Sequence, residues 1–198
     1  MPDYASMYDE YWSRPDRWQS HSFRDADPVV DQILKLGGGR MLDVGCGMCL
    51  LVLTLRERGI DARGLDIARR TIEEGNRQAP GCFELGSILD IPYPDDSFDT
   101  VICTDVLEHL AEPDVPRALS ELHRVTRRSI FATIATRPDR DKTWHLTVKD
   151  RTWWEDRLAE AGFRKHPDTR QIVGDETSEK DKLQITIAHQ KILPAVIE

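Results

Sequence analysis

Hydrophobic and polar positions along the chain switch repeatedly between two periods. An apolar set at helical spacing (Val29, Val30, Ile33, Leu34, Leu36) follows Pro28 and stops at Gly37-Gly38-Gly39, which predicts a helix and its glycine terminator. Arg40–Val44 then reads as a strand, and Leu50, Leu51, Leu53 and Leu55 mark a helix that ends near Gly59. Ala62–Asp66 is a second strand, Ala68–Gln78 a helix with Ile72 inward, and Cys82–Leu85 a short third strand. The unbroken apolar run Phe98–Thr104 has the pattern of a parallel strand covered on both faces. A helix from Asp114, with Pro116 tolerated in its first turn, leads to a strand at Ser129–Ala135. Thr152-Trp153-Trp154-Glu155 matches a capping box and predicts a helix closing at Gly162. Two further strands are expected at Gln171–Val173 and Leu183–His189, joined by a charged turn. Strands alternating with helices imply an α/β fold: a doubly wound, mostly parallel seven-stranded sheet with helices on both faces and a ligand at the carboxyl ends of its strands.

Residues 1–26 differ from the rest. Tyr4, Met7, Tyr8, Tyr11, Trp12 and Trp18 recur at spacings that gather them on one helical face, between charged residues. Such an aromatic arm must lie on something, so the chain divides into an N-terminal arm or lid (1–26) and one domain (27–198). With 198 residues and 39% apolar content, a single core is affordable and a second full domain is not expected.

Charge narrows the function. Lys and Arg number 27 against 35 Asp and Glu, a formal charge of −8 that repels phosphate backbones and argues against nucleic-acid binding. No apolar window approaches the roughly 20 residues that span a bilayer, and the first residues lack the pattern of a secretory signal. A cytoplasmic protein with no membrane partner is expected. Cys46, Cys49, Cys82 and Cys103 fall in strands or strand-end turns, which suits reduced thiols. Cys46-Gly47-Met48-Cys49 has the spacing of a redox or zinc pair, but no second pair accompanies it, so no metal is expected.

The chemistry concentrates after the first strand. In Asp43-Val44-Gly45-Cys46-Gly47 the glycines let the backbone approach a ligand, and free amides point outward at a helix start. A nicotinamide fingerprint would place glycine where Leu50 stands. Together with Gly64-Leu65-Asp66-Ile67-Ala68, Gly86-Ser87-Ile88-Leu89-Asp90, Ser97-Phe98-Asp99, Val106-Leu107-Glu108-His109-Leu110 and Ala161-Gly162-Phe163, the turn resembles the Rossmann-like class I S-adenosylmethionine-dependent methyltransferases. Cys49 stands where the family commonly has its last glycine, and Ser87 where it often has Asp.

The resemblance implies S-adenosylmethionine as cofactor, S-adenosylhomocysteine as product, and a small-molecule methyl acceptor. Asp43, Gly45, Cys46 and Gly47 would take the methionine end, Asp66 with Ile67 the ribose, Ser87 and Ile88 the adenine, and Thr104 would face the sulfonium. A helix-cap role for Asp66 and a turn role for Ser87 are the plainer alternatives. His109 and His145 are the candidate general bases, with loop bracing the competing role for His109. Tyr11 and Trp12 are candidate acceptor-pocket residues, and Trp153 and Trp154 are read as packing residues, one of which could also wall the pocket. The expected activity is transfer of a methyl group to oxygen or nitrogen of a small molecule by in-line displacement. The alternative is a catalytically silent cofactor-binding or regulatory subunit.

Overall fold

A computed structural model of the chain describes residues 2–18, 26–140, 143–174 and 184–192. Seven strands form one sheet in the order β3-β2-β1-β4-β5-β7-β6. They are β1 (Arg40–Val44), β2 (Asp61–Asp66), β3 (Phe83–Leu85), β4 (Phe98–Thr104), β5 (Thr126–Ala135), β6 (Phe163–Lys165) and β7 (Gln184–Lys191). β1 to β5 run parallel, and β7 is antiparallel to both β5 and β6. The seven-stranded, mostly parallel α/β sheet expected from the sequence is therefore present.

Alternation along the strands sends side chains to two cores, one on each face. Leu42, Val101, Cys103, Ile130 and Ala132 pack on one face with α5 (Val115–Val125) and α6 (Arg151–Glu160). Met41, Ile102 and Phe131 pack on the other with α2 (Asp27–Leu34), α3 (Leu50–Glu57) and α4 (Arg69–Gln78). Asp99 fixes the start of β1 by accepting the Arg40 amide at 2.9 Å, and its charge is met by Arg127 at 3.2 Å.

Two predicted elements differ. Residues 171–173 belong to a short helix, α7 (Thr169–Val173), which Gly174 ends with φ +87°. An Ile-Val pair in so short a run carries no period, and only Ile172 is buried. The strand in this region is β6, three residues placed directly after the Gly162 turn. Leu183 and the turn before it lie outside the described residues. The cap of α6 also shifts: Asp150, not Thr152, accepts the Trp153 amide, at 2.9 Å. Asp is at least as strong a cap as Thr. Glu155, the expected reciprocal partner, instead meets Arg151 at 3.2 Å and Lys165 at 3.0 Å.

The aromatic arm forms helix α1 (Tyr4–Ser13), capped by Asp3, and a 3-10 turn at Pro15–Trp18. It bridges two separate parts of the sheet's carboxyl edge. Tyr4 donates to Asp114 Oδ2 at 2.7 Å and accepts from the Ala111 amide at 2.8 Å, beyond β4. Asp9 accepts the Arg69 amide at 2.8 Å, at the start of α4 beyond β2. Residues 19–25 of the expected arm lie outside the described residues.

Candidate active site

Between the arm and the carboxyl ends of β1, β2, β4 and β5 lies a cavity of about 640 Å³. Every residue singled out above for cofactor, acceptor or base lines it: Asp43, Gly45, Cys46 and Gly47; Asp66 and Ile67; Ser87 and Ile88; Thr104; Tyr11 and Trp12; His109 and His145. Trp153 and Trp154 do not. Trp154 is wholly buried in the core, and the half-buried Trp153 packs against it at 4.8 Å, beneath Lys149 and Arg157, as packing residues do.

The first turn is built around close approach. Gly45 has φ +77°, and a Cβ there would meet Val106 Cγ2 at 2.4 Å, so no side chain fits. The Gly45 and Cys46 amides both donate to the Leu65 carbonyl, at 2.7 and 3.1 Å, tying the turn to β2. Cys49, which stands where the resembled family commonly has glycine, takes a left-handed conformation with φ +67°. Its Sγ donates to the buried Thr71 carbonyl at 3.5 Å. The turn thus holds a non-glycine residue in a left-handed conformation, which carries a steric cost.

The two acids at the strand ends differ in what satisfies them. Asp43 is 2% exposed, its Oδ1 has no hydrogen-bond partner, and burial, with the nearby charge of Asp66, pushes its pKa up to about 7. Asp66 is also raised by burial, but the amides of Ala68 and Gly47 donate to its two oxygens at 2.8 Å each. Asp66 is therefore not the cap of α4, whose N-cap is Ala68; it braces the turn while lining the cavity. Ser87 is likewise used locally, its Oγ accepting the Leu89 amide at 3.1 Å.

At the other end of the cavity a loop after β5 meets the 3-10 turn Leu107–His109. Thr147 joins them, its amide donating to the Glu108 carbonyl at 3.0 Å and its hydroxyl to the Leu110 carbonyl at 2.7 Å. Asp139 gathers the amides of Thr143, Trp144 and His145 within 3.1 Å of one oxygen. His109 Nδ1 lies 3.0 Å from the Trp144 carbonyl and His145 Nδ1 2.7 Å from the Arg137 carbonyl. A carbonyl only accepts, so each Nδ1 carries a proton, and in the neutral ring the lone pair is on Nε2. Burial pushes the His109 pKa down to about 4, which keeps its ring neutral. The bracing role considered for His109 is present, and it leaves the other nitrogen unused.

Three residues of this site went unassigned in the sequence. Glu108 is fully buried, accepts the Ala135 amide at 2.9 Å with one oxygen and leaves the other without a partner. Burial raises its pKa to about 8. Tyr8 stands edge-on to His109 at 5.9 Å, and Trp144 packs on Tyr11 at 5.0 Å, forming an aromatic roof. Tyr8 shares the helical face already noted, and Glu108 is an acid inside an apolar stretch, so both had a signal. Trp144 had none.

A family model described as a methyltransferase domain matches residues 42–131, which hold the first turn, both strand-end acids and Glu108-His109. The matched stretch is similar to a methyltransferase domain and takes in less than half of the chain. The ubiquinone biosynthesis O-methyltransferase of Neisseria meningitidis is 27% identical to this chain over 152 residues, which is 68% of the chain and 61% of that protein. The malonyl-[acyl-carrier protein] O-methyltransferase of Serratia marcescens is 35% identical over 115 residues, covering 54% and 44%. The chain thus spans less than two thirds of the length of these relatives. The magnesium protoporphyrin IX methyltransferase of Synechocystis, solved with bound S-adenosylmethionine, superposes with a TM-score of 0.71 at 20% identity, over 97% of this chain and 99% of that one. No helix among the described residues is long and apolar enough to cross a membrane.

Proposed function

We propose that this protein is a methyltransferase that binds S-adenosylmethionine in the cavity and methylates an oxygen or nitrogen of a small molecule. The observation that carries the reading is Asp43: a buried carboxylate with an unpartnered oxygen, at the end of β1 and facing the cavity, is the group that an ammonium would complete. S-adenosylmethionine supplies a methyl group activated by its positive sulfur, which the acceptor displaces in line. The protein's part is placement. Asp43 holds the amino-acid end, Asp66 has lone pairs left for the ribose hydroxyls, Ser87 and Ile88 flank the adenine, and Thr104 faces the sulfur. The acceptor lies under Tyr11 and Trp12, where the bare Nε2 atoms of His109 and His145 face a hydroxyl proton. The arm acts as a lid that excludes water from this space. Arg17, Arg137 and Arg140 also line the cavity, which suits an acceptor with an acidic group. The surplus of acidic residues disfavours a nucleic-acid acceptor, and four free cysteines suit a cytoplasmic setting.

The test is release of S-adenosylhomocysteine from S-adenosylmethionine with a panel of phenol, alcohol, amine and carboxylate acceptors. Turnover with an oxygen or nitrogen acceptor is expected. Tight cofactor binding with no turnover on any acceptor would favour a silent regulatory subunit, for which the comparisons offer no support. In the same material Asp66→Ala should weaken S-adenosylmethionine binding roughly 10- to 150-fold, the equivalent of 1.5–3 kcal/mol for hydrogen bonds to a charged group. Calorimetry giving the wild-type affinity would remove the ribose role.

A further inference from the structure

We propose that Glu108, His109 and His145 form a binding site for one divalent transition-metal ion at the acceptor end of the cavity. The potential ligand atoms of the three residues lie within 4.8 Å of one another. The two imidazole rings are 5.0 Å apart, edge to face. Each ring donates its Nδ1 proton to a backbone carbonyl, the arrangement that fixes the tautomer and aims a bare nitrogen at a metal. The third ligand is the free oxygen of Glu108, whose side chain is wholly buried and whose other oxygen is occupied by the Ala135 amide. A buried carboxylate oxygen without a donor, beside two nitrogen lone pairs without donors, is three acceptors facing one point. A divalent cation satisfies all three at once.

The donor set selects the ion. Two imidazoles and one carboxylate suit Zn²⁺, Fe²⁺ or another borderline ion better than Mg²⁺ or Ca²⁺, which prefer all-oxygen sites. Three protein ligands leave a position open, as in catalytic zinc sites, and all three residues line the cavity. Asp105 lies next to Thr133 and Gln184, which hold its Oδ1, and adds negative charge near the cluster. The site differs from the cysteine pair considered above: Cys46 and Cys49 belong to the nucleotide turn, and the metal site is assembled from the 3-10 turn after β4 and the loop after β5.

The open position faces the acceptor, so this inference rests on the proposed methyl transfer and narrows its acceptor to a hydroxyl compound. The ion takes the place of the general base considered for His109 and His145, whose lone pairs it occupies: a hydroxyl oxygen bound to it loses its proton to water, as metal-bound water does near neutral pH. That oxygen then forms a bond to the methyl carbon as the sulfur–methyl bond breaks. The sulfonium and the oxyanion give a neutral thioether and a neutral ether.

The experiment uses the full chain freed of any affinity tag and stripped with a chelator. Zn²⁺ is titrated by calorimetry, Co²⁺ by its visible absorption, and S-adenosylmethionine binding is measured separately by thermal shift. One Zn²⁺ per chain is expected, together with a Co²⁺ spectrum of low-coordinate intensity. Glu108→Gln keeps an acceptor for the Ala135 amide, and His145→Asn changes a residue on the loop. Each should weaken Zn²⁺ by more than the roughly 10–100-fold that losing an outer-shell partner costs, with S-adenosylmethionine binding retained. Chelation should abolish methyl transfer to a phenol or alcohol, and Zn²⁺ or Mn²⁺ should restore it. Wild-type protein that binds S-adenosylmethionine but no Zn²⁺, or variants that bind Zn²⁺ as well as wild type, would overturn the metal site. Stoichiometric Zn²⁺ with chelator-resistant transfer would overturn its part in the reaction. Failure to bind S-adenosylmethionine at all would instead count against the methyltransferase reading and leave the metal titration standing.

Discussion

Asp43→Asn should make the cofactor-free protein more stable above pH 7 and at the same time nearly abolish its hold on S-adenosylmethionine. The two effects share one cause. Asp43 is buried with an oxygen that nothing in the protein satisfies, and its pKa stands near 7 in place of 3.8. A carboxyl raised in this way favours the fold in its neutral form. That contribution is whole below about pH 4, falls as the pH rises toward 7, and is gone above it. At 1.36 kcal/mol per pH unit, ionising Asp43 in the folded apo chain costs about 4 kcal/mol at pH 8. Asn cannot ionise and escapes this. The melting temperature of the apo variant should therefore exceed wild type by up to roughly 10 °C at pH 8 and match it near pH 4.

Cofactor binding should move the other way. Removing one member of a buried charge pair costs about 2–5 kcal/mol, a loss of roughly 30-fold or more in affinity. In the wild-type protein the affinity should fall about tenfold for each pH unit below 7, because the carboxyl must first give up its proton. Thermal melts at pH 4, 6 and 8, with and without S-adenosylmethionine, read both arms. An apo variant no more stable than wild type at pH 8 would show that Asp43 is not held neutral by burial. An unchanged affinity would show that no ammonium docks there.

How much of this was legible in the sequence depended on how local the signal was. β1 and β4 stand out because strands covered on both faces are mostly apolar, and Asp43 and Asp66, buried acids toward the carboxyl ends of β1 and β2, drew notice. β6 left no trace: of Phe163, Arg164 and Lys165 only the first is buried, and three residues on an antiparallel edge carry no readable alternation. The glycine turn after β1 was readable for the same reason as β1, being one continuous stretch. The opposite end of the cavity was not. His109 and His145 were visible as isolated candidates, but their convergence is made by Thr147 and Asp139 through backbone amides. Gln184, which also lines the cavity, arrives on β7 from the far end of the chain. No spacing rule links residues brought together by a loop and an antiparallel strand.

Trp12→Ala should release the arm and leave the domain folded. Trp12 is 7% exposed, packs edge-to-face on Tyr11 at 5.2 Å and lies against Gly47, where an added Cβ would come within 3.1 Å of its ring. Truncating a buried Trp costs about 3–5 kcal/mol. Which part of the molecule loses that stability follows from the way α1 is held. Ten residues are too few for a stable helix in water, so α1 is ordered only by docking at Tyr4, Asp9 and Trp12. The sheet core does not depend on it. Loss of the Trp12 contact should therefore raise the local opening of α1 by at least about 100-fold, with global unfolding little changed. Amide hydrogen exchange over residues 4–13 should accelerate by that factor while protection in β1 and β4 stays at the wild-type level. S-adenosylmethionine should leave faster, since the ring that covers Gly47 is gone. Tyr4→Phe gives a second route to the same state, because it leaves Asp114 and the Ala111 amide without their shared hydroxyl, at a cost of about 1–3 kcal/mol. If protection in β1 and β4 falls in step with that of the arm, Trp12 belongs to the domain core, and the arm opens only when the whole protein unfolds.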